Sequence, residues 1–446
     1  MERQYLWLSR TASFRLAEPS SLNQPPQPVP GPSPYARLVR PRLEEALADT
    51  PAVLVHGPRQ SGKTTLARDV GDAAGYGYVT FDDDTTRAAA EADAIGFVDA
   101  LPDRVVLDEV QRVPALFTSL KAAIDRDRTP GRFLLTGSAN VLLVPRLADS
   151  LAGRMETIRL HPLSQAELAG ISDPARTFLA RLVAGILPAS TGDRLAEALA
   201  ARVAAGGFPA ALARSTGRRR AAWYRDYVDT IVQRDVRDLS RIRSLDVLPR
   251  LLAVAASQTS RLLNVTDLAG PFQLTQPTIR DYVTLLERVF LLDEIPPWHS
   301  NRLSRLVKAA RLHMGDTGLA CALLGVDAEA LWADRPLYGQ MLETFVVQEL
   351  RRLASGYEDP VAFHHLRDRD GTEVDVVLEV GGRRIVGVEV KAAASVRTSD
   401  FAGLRKLRDA AGERFVAGVV LYDGEATHSF GDALWAVPIR CLWEPS

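Results

Sequence analysis

Gly57, Pro58, Arg59, Gln60, Ser61, Gly62, Lys63 and Thr64 spell G-x-x-x-x-G-K-[ST], a pattern built to hold phosphate. Backbone N–H groups of such a loop converge on a β-phosphate, and the helix that follows adds the positive end of its dipole. Lys63 would reach the β- and γ-phosphates, and the Thr64 hydroxyl would bind Mg²⁺. Both flanks are right. Ala52, Val53, Leu54 and Val55 predict a strand before the loop, and Thr65, Leu66, Ala67 and Arg68 open a helix after it. The chemistry expected at residues 57–65 is the binding of ATP with Mg²⁺.

A second set of residues completes a hydrolytic centre. Val105, Val106 and Leu107 form an apolar run that ends in Asp108 and Glu109. A strand buried on both faces has no use for carboxylates, so the two acids should emerge at its carboxyl tip. Asp108 can hold Mg²⁺ through water, and Glu109 can orient the attacking water. Phe133, Leu134 and Leu135 lead to Thr136 and Ser138, either of which could sense the γ-phosphate; a small polar turn is the alternative. Arg154 could neutralise charge in the transition state, in cis or on a neighbouring subunit of a homo-oligomer. A solvated or ion-paired arginine is the other reading.

A third set lies near the end of the chain. Asp375 sits in the apolar run from Val374 to Leu378, and Glu389 and Lys391 sit in the run Val386, Gly387, Val388, Glu389, Val390, Lys391. Two residues apart on a strand, Glu389 and Lys391 share a face. Together with Asp375 they match the D…E-x-K order of a metal-dependent nuclease core, with Asp375 and Glu389 as Mg²⁺ ligands and Lys391 beside the reacting groups. An amphipathic hairpin whose polar face meets water is the alternative. The turn decides between them. A two-residue turn at Gly381 and Gly382 would place Asp375 and Glu389 on opposite faces, whereas a three-residue loop at 381–383 pairs them.

These residues need elements to position them. From residue 35 to about 200, candidate strands at 52–55, 76–81, 104–108, 132–136 and 155–160 alternate with helical stretches, which predicts a parallel sheet covered on both faces. From 201 to 335 the strand signal mostly disappears, and Ser164 with Glu167 marks a capping box just before. Asn264 to Ala269 resembles the first helix of a helix-turn-helix, with a turn at Leu274, Thr275 and Gln276, Pro277 at the first position of a second helix, and a wing strand at Phe290 to Ile295. Such a unit would touch DNA with Gln276, Thr278 and Arg280, or serve as packing alone. Residues 214–243 hold nine arginines against four aspartates, a phosphate-backbone surface or a solvated, ion-paired helix. Residues 336–446 return to a helix and a β-rich end. Residues 1–34 include a proline-rich run that can form no packed core.

Composition sets the outer bounds. A chain of 446 residues is too long for one ordinary core, and 24% charged residues with a net charge of −1 exclude a wholly basic nucleic-acid binder. Two distant cysteines without metal-ligand spacing suggest a reducing cytoplasm. The absence of a long apolar run argues against a membrane partner.

With these motifs laid out, the chain resembles a prokaryotic family of AAA-type ATPases that carry a C-terminal restriction-endonuclease-like, PD-(D/E)xK domain of unknown function. The resemblance covers about residues 35–440. It rests on the phosphate loop through Thr65, Leu107-Asp108-Glu109, Leu135-Thr136-Gly137-Ser138, Leu151-Ala152-Gly153-Arg154, Gly206-Gly207-Phe208-Pro209, Asp316-Thr317-Gly318-Leu319 and Val388-Glu389-Val390-Lys391. It implies an α/β chain: a P-loop parallel sheet, a helical and winged-helix region, then a nuclease-like α/β domain. It implies ATP at Gly57, Gly62, Lys63 and Thr64, hydrolysis through Asp108 and Glu109, and Glu343 as a fourth member of the C-terminal set. Asp316 also reads as an N-cap for a helix at Thr317.

Overall fold

Five short apolar runs form the first sheet. They are β1 (Ala52–His56), β2 (Gly77–Thr80), β3 (Val105–Asp108), β4 (Phe133–Gly137) and β5 (Met155–Arg159), ordered β2-β3-β4-β1-β5. Every neighbouring pair is parallel. Alternation along each strand divides the core in two. Val53, Val55, Val106 and Leu134 pack against Leu43, Leu66 and Val70 on one face. Leu54, Leu107 and Leu135 pack against Phe117, Leu120 and Ile124 on the other. The computed structural model describes residues 35–138, 153–187, 189–236, 245–272, 274–299, 309–368 and 371–444. The extension 1–34, Leu151, Ala152, and Arg237, Arg241 and Arg243 of the arginine-rich stretch lie outside the described residues.

The middle of the chain is helical. Asn264 caps the helix Val265–Ala269, and Thr275 caps Gln276–Arg288 by accepting from the Thr278 N–H. The second helix therefore begins at Gln276, one residue earlier than expected, and Pro277 occupies its second position. Its missing N–H is still one that the first turn leaves unused. A two-stranded antiparallel sheet follows, β6 (Leu292–Ile295) with β7 (Arg311–Met314).

The helix Arg335–Ala354 leads into a six-stranded mixed sheet: β8 (Val361–Arg367), β9 (Glu373–Val380), β10 (Arg384–Lys391), β11 (Phe415–Tyr422), β12 (His428–Ser429) and β13 (Leu434–Pro438). The order is β12-β13-β11-β10-β9-β8. β8, β9 and β10 form an antiparallel meander, and β11 runs parallel to β10 after the crossover helix Ala402–Ala411. The β9–β10 turn is the three-residue loop: Arg384 pairs with Val380, and Gly381 and Gly382 take positive φ of 57° and 69°. Packing does not break at 335, because one core cluster runs from Phe178 through Leu252, Leu286 and Phe345 to Val388 and Trp443.

Ion pairs and glycines join the three regions. Arg352 bonds Glu349, Asp316 and the Leu163 carbonyl, and the Gln165 N–H donates to Glu349. Asp316 caps the helix Thr317–Leu324, as expected, and its other oxygen accepts the Gly207 N–H at 2.8 Å. A Cβ at Gly207 would lie 2.5 Å from the Leu163 carbonyl oxygen and 2.7 Å from Arg352 Nη1. Backbone cannot retreat cheaply, so Gly207→Ala should cost about 1–3 kcal/mol in denaturant unfolding. An unchanged midpoint would mean that the motif is not there for packing.

Candidate functional site

Strand β1 delivers the phosphate loop at the carboxyl edge of the first sheet, where β3 and β4 also end. Gly57 has φ of 156°, Gln60 of 61° and Gly62 of 99°, so the loop turns twice through conformations that favour glycine. No side chain caps the helix Lys63–Ala73, which leaves its leading N–H groups for a ligand. Lys63, buried, donates to the carbonyls of Gly57 and Pro58 at 3.1 and 2.9 Å. Two distant residues hold the loop from outside. Arg37 donates to the Ser61 carbonyl at 2.8 Å, and Tyr227 to that of Arg59 at 3.2 Å.

Asp108 and Glu109 emerge at the tip of β3. The Thr64 hydroxyl donates to Asp108 Oδ1 at 2.9 Å, Thr136 donates to the same oxygen, and Tyr78 donates to Oδ2 at 2.9 Å. Burial pushes the Asp108 carboxyl above its usual range, and these hydroxyl donors pull the other way. A hydroxyl and a carboxylate in contact at the mouth of a phosphate loop fit a magnesium ion with its water shell. Glu109 lies in the left-handed region, φ 58°, with its N–H bonded to Thr136 Oγ1 at 3.1 Å. Gln111 Nε2 donates to the Glu109 carboxylate and to Ser138 Oγ, the latter at 2.9 Å. Thr136 thus touches both acids, and Ser138 reaches Glu109 only through Gln111. Arg154 does not: it forks onto Asp125 at 2.7 and 3.1 Å. Gln111, Tyr78, Arg37 and Tyr227 escaped sequence reasoning; only Gln111, two residues beyond Glu109, left a local signal.

The C-terminal residues also converge. The three-residue β9–β10 loop puts Asp375 and Glu389 on one face, and Asp375 Oδ2 accepts the Val390 N–H at 3.0 Å. Lys391 Nζ stands 3.9 Å from Glu389. They line a cavity of about 900 Å³ with Glu343 and Glu373. Burial, then the Asp375 charge, raises Glu343 to about 8 and holds Glu389 well above the carboxylate range. The centre of the group is occupied by protein. Arg311 of β7, 5% exposed, donates to Asp375 at 3.0 Å, lies 3.5 Å from Glu343 and pairs with Glu373. Among the described residues no group of three or more His, Cys, Asp or Glu is arranged to hold a metal ion. In this arrangement the acids surround a guanidinium, which does not fit a divalent metal.

The helix-turn-helix side chains are engaged internally. Gln276 donates to Thr266 at 2.9 Å, Thr278 meets Thr275 at 2.9 Å, and Arg280 forks onto Glu294 at 2.7 and 3.3 Å. By contrast, Arg214, Arg218, Arg219 and Arg225 are exposed. No helix among the described residues is long and apolar enough to cross a membrane.

A family model described as an AAA domain matches residues 49–169, and two described as domains of unknown function, DUF8612 and DUF4143, match residues 196–330 and 338–442. Uncharacterized protein Rv2008c of Mycobacterium tuberculosis is 31% identical over 399 residues, spanning 89% of this chain and 82% of that protein. Uncharacterized protein Mb2031c of Mycobacterium bovis matches with the same figures. Among solved structures, the Walker-type ATPase PABY2304 of Pyrococcus abyssi is 14% identical, covers 64% of this chain and 94% of that one, and has a TM-score of 0.36. The RuvB Holliday junction branch migration motor of Thermotoga maritima is 18% identical, covers 58% and 89%, and has a TM-score of 0.28. These two likenesses are too loose to carry an argument. The family models and the mycobacterial relatives carry it: this chain is an AAA-type ATPase, its AAA domain followed by two domains of unknown function, and belongs to the family that includes Rv2008c and Mb2031c.

Proposed function

We propose that the chain is a Mg²⁺-dependent ATP hydrolase that uses the nucleotide cycle to change how its C-terminal domain engages a partner. The observation that carries the reading is the contact of Thr64 with Asp108 at the mouth of the phosphate loop, with Glu109 beside it. Thr64 and Asp108 would hold Mg²⁺, which would supply positive charge to offset that on the phosphates. The chain's own residues do the rest. Gly57, Gly62 and the uncapped helix start cradle the phosphates. Lys63 leaves two loop carbonyls to pair with phosphate oxygens. Glu109, turned outward by its left-handed backbone, orients a water, while Gln111 ties its carboxylate to Ser138. Arg154 is held by Asp125 and supplies no charge in this state.

For the C-terminal domain we favour binding over cutting. Arg311 supports this, because it pairs with Asp375, one of the two acids that a nuclease would present to metal. The partner we propose is DNA, met through its phosphates by the exposed arginines of the helix Gly217–Ile231. The buried, free thiols of Cys321 and Cys441 suit a cytoplasmic protein. Calorimetry with Mg-ATP and a linear-duplex assay test the reading together. We expect ATP to bind and the duplex to be retained at low salt but left uncut. Absence of heat removes the ATPase. Cleavage that is lost in Asp375→Ala restores the nuclease.

A further inference from the structure

A second polar pocket lies at the seam where the first sheet meets the C-terminal helix. Its volume is about 310 Å³, and Arg42, Arg159, His161, Arg351 and Ser355 line it. Arg159 ends β5 and His161 follows two residues later; Arg42 belongs to the helix Arg40–Asp49, and Arg351 to Arg335–Ala354. Positive charge is in excess at its base. Arg159 and Arg351 share one oxygen of a single carboxylate, Asp293 Oδ1, at 3.2 and 3.1 Å, and Gln348 takes the other oxygen. Each of the two arginines keeps a buried Nε–H with no acceptor. At the mouth, Arg42 is 3.6 Å from Glu156, and Asp359 is paired with Arg384.

His161 is the independent observation. It is only 8% exposed, its carbonyl accepts from Arg37, and its imidazole lines the pocket. Burial and then the charges of Arg159 and Arg351 hold it neutral. Beside it, the buried Nε–H groups of Arg159 and Arg351 have no acceptor, a cost that an anion in the pocket would offset.

We propose that this seam pocket binds a phosphate group, as inorganic phosphate or a small phosphomonoester, with Arg42, Arg159, Arg351 and His161 as its donors. Guanidinium forks match phosphate oxygens two at a time, which a halide cannot reproduce. The pocket is distinct from the nucleotide loop but touches its support. Arg159 pairs in register with His56, the residue before Gly57, and the Leu160 carbonyl packs against Gly57. A phosphate held there would tie β5 to the C-terminal helix.

The test uses the full chain with its nucleotide loop saturated by a slowly hydrolysed ATP analogue, so that the loop itself cannot report. Inorganic phosphate and glycerol 3-phosphate are titrated separately at constant ionic strength. Calorimetry is read alongside the imidazole resonances of His161, assigned with His161→Gln. We expect a saturable response with Kd below about 1 mM for at least one probe, weakened about tenfold by Arg42→Gln, the loss of one charge-assisted contact. The tighter probe identifies the source. The Arg42 side chain is 41% exposed at the mouth, so its variant should fold, and circular dichroism checks that. No saturable response up to about 20 mM of either probe, or binding unchanged in both variants, overturns the proposal.

Discussion

Glu109→Gln should hydrolyse ATP about 10²–10³-fold more slowly than the parent while binding it with nearly the same affinity. The expectation follows from what the side chain touches. Glu109 is buried, and its backbone is pinned in the left-handed region by the Thr136 hydroxyl, so its carboxylate can point only where β3 aims it. The amide is isosteric and its oxygen still accepts from Gln111, so the local fold survives. What it loses is the ability to polarise a water. The groups that would hold phosphate, Lys63, Thr64 and the loop backbone, are untouched. Single-turnover phosphate release with parallel calorimetry separates the two quantities. A matched fall in affinity would place Glu109 in binding, and unchanged turnover would remove it from the chemistry.

How much of this was legible depended on sequence distance. The phosphate loop and β1 to β5 were readable because their signals are local: an apolar run, a glycine-lysine turn and a helix start lie next to one another. The acids of β3 were readable because a buried strand has nowhere else to put them. The β9–β10 face was half legible, since alternation allowed two loop lengths and only packing chose the three-residue one that pairs Asp375 with Glu389. Arg311 was invisible for the opposite reason. Its partners include Glu373 and Asp375, 62 and 64 residues further along the chain, and nothing near it in the chain announces them. Arg37 and Tyr227 hold the phosphate loop from 24 and 168 residues away. The helices Val265–Ala269 and Gln276–Arg288 were legible, but Arg280 looked available for DNA because Glu294, its partner, belongs to the next strand.

Arg311→Ala should destabilise the chain by about 3–5 kcal/mol at pH 8, the usual result of removing one partner from a buried ionic group. At 5% exposure the guanidinium has little water to fall back on, and Asp375 is nearly as buried. Without it, Asp375, Glu373 and Glu343 face one another; Arg367 still pairs with Glu373 at 3.0 Å, and Lys391 is already beside Glu389. The penalty should shrink on acidification. Glu343, raised by burial and the Asp375 charge to about 8, takes up its proton more readily in the folded state than in the unfolded one, so stability is regained as pH falls below that value. Denaturant unfolding at pH 8 and pH 5.5 reads this directly. Arg311→Lys should lie between parent and alanine variant, because it restores the charge but cannot reach three acids with a planar fork. A loss that is equal at both pH values would assign Arg311 to packing alone. No loss at either would mean that solvent in the cavity screens the acids, and the guanidinium would then no longer explain why the pocket should do without metal.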